Sequence, residues 1–123
     1  MPDSQEIEDF ITATFRSVWA LELLHLLQEH RDRTLSHAEM VAGLRASDVV
    51  VTQSVETLTA AGVSVVEADG GARYRPVSKN LEALADGAIG LYGKSPGAVR
   101  RLIVAAANPG ITEFANAFRL RKD

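Results

Sequence analysis

Three histidines, a glycine-lysine-serine run and a scatter of arginines are the residues of this chain whose types could carry chemistry. His25 and His30 stand five residues apart, so they do not share a helical face as i, i+4 metal ligands would. His37 adds no third ligand, because Glu39 beside it is engaged in a helix cap, and no metal site is expected. The run Ala88-Ile-Gly-Leu-Tyr-Gly93-Lys94-Ser95 matches a relaxed phosphate-loop pattern. Such a loop needs a strand before it and a helix beginning at the lysine. Here Leu81 to Asp86 has helical spacing and Pro96 removes an amide just after the serine, so the run reads as a helix end at Gly93 and a Ser-Pro helix start. The absence of cysteine excludes disulfides, zinc-thiolate sites and thiol catalysis. With no cluster of acid, base and nucleophile, the chain is expected to be no enzyme and to need no cofactor.

The arginines gain meaning only from the elements that carry them. Ser36-His-Ala-Glu39 forms a capping box that starts a short helix with Met40, Val41 and Leu44 inward. Gly43 and Ala46 sit near a turn, and Ser47 caps the next helix, in which Val51, Val55 and Leu58 repeat at core spacing. Gly62 ends that helix as a C′ glycine. Val63 to Glu67, the turn Ala68-Asp-Gly-Gly71 and Ala72 to Val77 then read as a hairpin. Residues 36–76 are therefore a helix-turn-helix followed by a wing.

On this unit Arg45 precedes the second helix, and Arg73 and Arg75, two apart on a strand, project from one face and could straddle a phosphate. Arg31 and Arg33 lie in the loop before the first helix. The second helix exposes Val49, Gln53, Glu56, Thr57 and Ala60, of which Gln53 could pair with adenine and Thr57 reach a phosphate or a thymine methyl. The stretch Ser47 to Ala61 holds Asp48 and Glu56 and no lysine or arginine, which suits a groove reader poorly and a protein-binding surface better.

The spacing Val51-x-x-x-Val55-x-x-Leu58-x-x-x-Gly62-Val63, followed by Gly70-Gly71-x-x-Tyr74-x-Pro76, resembles the winged helix-turn-helix of MarR-like bacterial transcription regulators. The flanks Ser17-Val-Trp-Ala-Leu-Glu-Leu-Leu and Phe114 to Asp123 also look like small bacterial winged-helix proteins without an assigned role. The resemblance implies a dimeric regulator whose second helix reads the major groove and whose wing touches the minor groove or the backbone. The departure is the missing basic residues of the reading helix. On this reading the DNA-binding residues are Arg45, Ser47, Gln53, Thr57, Arg73 and Arg75. The alternative is a winged-helix protein-interaction module or anti-regulator that binds no DNA directly and meets its partner through that same helix.

The flanking elements complete a mainly α, single-domain expectation for residues 1–123. Glu6 to His30, within an N-terminal element of residues 5–30, hold no Gly or Pro and read as one long helix capped by Asp3 or Ser4. Its apolar face shifts: Ile7, Phe10, Ile11, Val18 and Leu21 lie on one side, Trp19, Leu23, Leu26 and Leu27 nearly opposite. Two offset faces ask for two neighbours, either a second copy of the chain or its own C-terminal helices over residues 80–122. These fall at Leu81 to Tyr92, Ser95 to Ala107 and Thr112 to Lys122. The homodimer contact is placed on Phe10, Ile11, Val18, Leu21, Phe114 and Phe118. The basic residues Arg100, Arg101, Arg119, Arg121 and Lys122 read as a solvated face, the alternative being a contact with phosphate or an acidic partner.

A chain of 123 residues, 46% hydrophobic and 24% charged, suits one globular domain. The formal charge of -3 supplies no global pull toward nucleic acid, so phosphate binding requires a local basic patch. No apolar run approaches the roughly 20 residues of a membrane span, and no basic segment leads into an apolar one at the start, so a cytoplasmic location is expected.

Overall fold

The computed structural model describes residues 2–107 and is mainly helical, with one small antiparallel sheet. The order is α1 (Ser4–Thr14), α2 (Val18–Glu29), α3 (His37–Leu44), α4 (Asp48–Ala60), β1 (Ser64–Val66), β2 (Ala72–Tyr74), α5 (Lys79–Lys94) and α6 (Pro96–Ala107). The expected last helix over residues 112–122, with Phe114 and Phe118, lies outside the described residues. No single helix among them is long and apolar enough to cross a membrane.

The single long N-terminal helix is corrected to two helices that meet at a 112° bend. Asp3 caps α1 through a capping box with Glu6, but the helix stops where Phe15 takes extended backbone angles. Ser17 is extended too and makes no side-chain cap bond, so no local hydrogen bond announces the corner. Burial supplies the reason. Bending lets apolar residues of both helices enter one core: Ile11 and Phe15 from α1 and its end, Leu21, Leu24 and Leu27 from α2, all at most 1% exposed. Phe10 and Phe15 meet edge to face at 5.8 Å.

Helix α1 packs on α5 and α6 of the same chain, while α2 packs mainly on α4. Ile11 and Leu21, placed above at a dimer contact, are thus covered internally and have no surface left for a second copy. Phe10 and Val18 are half-buried against the same core. Gly87 shows how closely α5 approaches α1, since a Cβ there would stand 2.6 Å from Ile7 Cδ1.

The central elements follow the local signals. Ser36 Oγ accepts from the Glu39 amide at 3.1 Å, and the Glu39 carboxylate accepts from the Ser36 amide at 2.9 Å. Ser47 Oγ accepts from the Val50 amide, opening α4, and Val51 and Leu58 are fully buried beneath it. At its end Val63 N donates to Leu58 O and Gly62 N to Thr59 O, with Gly62 at φ +81°. That pair of bonds is a Schellman motif, which needs a left-handed residue and so favours glycine.

The two strands pair as Ser64 with Tyr74, Val65 with Arg73 and Val66 with Ala72. Backbone bonds from Arg75 N to Val63 O and from Val77 N to Gly62 O extend the ladder toward its base. Leu35 adds an isolated bridge to the other edge of β2, with reciprocal 2.9 Å bonds to Ala72. The hairpin is thereby tied to the segment that leads into α3.

Candidate nucleic-acid interface

The alternation of β2 sorts its side chains cleanly. Ala72 and Tyr74 are buried, whereas Arg73 is half-exposed and Arg75 exposed on the opposite face. Neither guanidinium has an ion-pair or hydrogen-bond partner among the described residues, so both remain available to an outside anion. What holds this face outward is Tyr74. Its ring is 6% exposed, its hydroxyl lies 3.5 Å from the Gln28 amide, and Arg31 stacks over it at 5.4 Å. Burial raises the phenol pKa and keeps it neutral.

Arg31 is thus drawn inward, and its Nε also donates to Gln28 O at 3.2 Å. Arg33 is engaged as well, donating from both terminal nitrogens to Glu39 at 3.3 and 2.9 Å. The two loop arginines offered by the sequence as extra cations are therefore spent on Tyr74 and on the cap of α3. Only the paired contact reveals this, because each residue alone reads as exposed and basic.

Arg45 is free by the same measure and sits in an unusual backbone state. It is the C-cap of α3 at φ 56°, ψ 43°, the left-handed region, and the one non-glycine residue with positive φ among the described residues. A left-handed L-residue costs roughly 1–2 kcal/mol, and glycine is the usual occupant of such a position. Across the turn His37 Nε2 and Asp48 Oδ1 lie 2.9 Å apart, joining the first turns of α3 and α4. His25 reaches Glu29 at 3.9 Å and His30 Nδ1 contacts Leu26 O at 3.0 Å, so the three histidines serve three different local contacts.

Along α4, Ser47, Asp48, Val49, Gln53, Glu56 and Ala60 are exposed and Thr57 is half-buried, in agreement with the helical spacing. Ser47 is committed to the cap, and Thr57 Oγ1 donates to Gln53 O at 3.1 Å, leaving it an acceptor for an outside donor. Gln53 and Thr57 also border a groove toward the α1–α2 corner, whose far wall carries Arg16. Sequence reading did not single out Arg16, because no local pattern marks a lone exposed arginine as a groove wall. The phosphate-loop look-alike lies in α5 through Lys94, with Gly90 and Gly93 inside the helix, so its amides are bonded along the helix rather than gathered around an anion.

The Arg33–Glu39 contact makes a pH prediction. The Arg33 hydrogen bonds, then the Ser36 amide, hold the Glu39 pKa down to about 2 against an ordinary 4.5. A depressed folded pKa means that the unfolded chain takes up the proton first as pH falls. The stabilisation is therefore complete above about pH 4.5 and is lost as pH falls toward 2. Glu39→Gln keeps a capping residue but removes the charge. In urea titrations across pH it is expected to be less stable than the parent by a constant margin above pH 5, the margin closing between about 4.5 and 2. A margin independent of pH down to 2 would show that the charge contributes nothing.

No family model matches the chain, and neither a curated protein nor a solved structure shows significant similarity to it.

Proposed function

We propose that this chain is a winged-helix DNA-binding regulator of transcription, with α3 and α4 as its helix-turn-helix and the β1–β2 hairpin as its wing. The observation that carries the reading is the set of Arg45, Arg73 and Arg75. They are the cations of the helix-turn-helix and wing that remain unpartnered among the described residues, and they flank an α4 that has none of its own. In this role α4 lies in the major groove with Gln53 and Thr57 toward base edges, while Arg45, Arg73 and Arg75 hold the backbone. Ser47 keeps the helix start in register by capping it. The protein acts as a cytoplasmic homodimer, so two copies of α4 meet two half-sites. Among the described residues of the expected contact, Phe10 and Val18 keep accessible surface.

The strained backbone at Arg45 gives a test with opposed signs. Arg45→Gly relieves a left-handed L-residue, so stability is expected to hold or to rise by up to about 1 kcal/mol. DNA affinity is expected to fall several-fold, with a salt slope smaller by about one. A variant that is no weaker on DNA removes Arg45 from the interface.

A second reading rests on Val49, which is 64% exposed on α4 between Asp48 and Gln53. An apolar, partly acidic helix face suits a protein partner better than a phosphate channel. A gel shift with mixed genomic fragments at about 50 mM salt separates the two, because even non-specific phosphate binders retain DNA there. Retention supports the regulator; no retention supports the protein-interaction module.

A further inference from the structure

The corner between α1 and α2 does more than close the core. It overhangs α4 and leaves two adjoining depressions that share Arg16 and Thr57. The larger, about 470 Å³, is bordered by Arg16 and Ser17 on one side and by Gln53, Ser54, Glu56 and Thr57 on the other. The smaller, about 310 Å³, continues over the methyl groups of Ala13, Ala60 and Ala61.

Two features of the larger depression point to a ligand. Arg16 and Glu56 carry opposite charges at one groove, yet no ion pair joins them and neither has another partner among the described residues. Ser54 is 3% exposed and its hydroxyl makes no hydrogen bond. No sealed side-chain polar atom is left unpartnered, so that hydroxyl keeps a little solvent contact, on a residue that lines this groove. Water can satisfy it there in the free protein, and a ligand group can take that water's place.

A simple anion would suit Arg16 but meet repulsion from Glu56, and a simple cation would meet the reverse. A zwitterion satisfies both. We propose that the groove binds a small molecule of the α-amino-acid class with an apolar side chain. The carboxylate is held by Arg16, the ammonium by Glu56, and the Ser54 hydroxyl and Gln53 amide supply neutral hydrogen bonds. The apolar side chain lies over Ala13, Ala60 and Ala61. The site's test does not involve DNA, although Gln53 serves either the ligand or a base and not both at once.

The test is an amide chemical-shift titration of the full chain with leucine, valine and phenylalanine, beside N-acetyl-leucine and leucinamide. Saturable shifts at residues 16–17 and 53–57 are expected with at least one free amino acid. Each blocked form should bind at least about tenfold more weakly, since each lacks one charge-assisted contact. Arg16→Gln is expected to weaken the free amino acid while leaving leucinamide unchanged, and Glu56→Gln to weaken it while leaving N-acetyl-leucine unchanged. Both positions are exposed, and unchanged spectra elsewhere confirm the fold. No saturable shift at these amides up to roughly 10 mM, or equal binding of free and blocked forms, overturns the proposal.

Discussion

Replacing Arg73 and Arg75 together with alanine is expected to weaken DNA binding about 10- to 100-fold near 0.1 M salt and to lower the salt slope by about two. Both guanidiniums stand on the outer face of the hairpin, and nothing in the described residues competes for them. Each phosphate that an arginine neutralises releases close to one counterion, so the slope counts contacts independently of base sequence. The inner face of the strand, Ala72 and Tyr74, is untouched by the change. Stability should therefore stay within about 0.5 kcal/mol, as for ordinary surface substitutions. Arg33→Ala is the matched control: its guanidinium is already bound to Glu39, so the slope should not move. A double variant with the parent slope would show that the β1–β2 hairpin does not touch phosphate.

Phe15→Ala is expected to have the largest effect on stability, a loss of about 3–5 kcal/mol. Domains of this size are typically stable by only about 5–15 kcal/mol, so much of the margin would go. Phe15 is 1% exposed, and it packs where α1, α2 and the aromatic edge of Phe10 converge. Its removal leaves a cavity at a corner where the Phe15 amide is bonded to Ile11 O at 3.0 Å, which limits how far the backbone can refill it. In urea the midpoint should fall with an unchanged m-value, which separates lost stability from a change in the unfolded chain. Phe10→Ala, at a half-buried ring, should cost clearly less. A loss at Phe15 below about 1 kcal/mol would mean that the bend does not close the core.

The two predictions probe opposite ends of what the residues revealed. Helix starts at Ser36 and Ser47, and the glycine stop at Gly62, were legible because each depends on hydrogen bonds within a few residues, and the start of α6 was legible because proline suits a first helical position. The hairpin was legible for the same reason: Gly70 at φ +90° and the Asp69 side chain accepting from the Gly71 amide are a local turn. The start of α5 at Lys79, capped by Ser78, lay earlier than the apolar spacing from Leu81 suggested, because the first turn of a helix need not be apolar. The corner at Phe15 was not legible. It has no Gly, no Pro and no side-chain cap bond, and the gain from burying apolar residues of both helices in one core makes it favourable.

The candidate site divides in the same way. That Arg73 and Arg75 share a face follows from the two-residue period of a strand, and the exposed stripe of α4 from the helical one. Which arginines are free does not follow from any period. Arg31 is claimed by the Tyr74 ring, 43 positions along the chain, and Arg33 by Glu39 across a loop, while Arg16 is brought over α4 by the bend. The sequence by itself determined the caps, the turn, the stop at Gly62 and the exclusion of thiol chemistry, because these rest on residue type and near neighbours. Only the tertiary structure decided where the N-terminal helix breaks, that Ile11 and Leu21 are buried within the chain, and which cations remain available, because these depend on contacts between distant segments competing for the same core and the same charges.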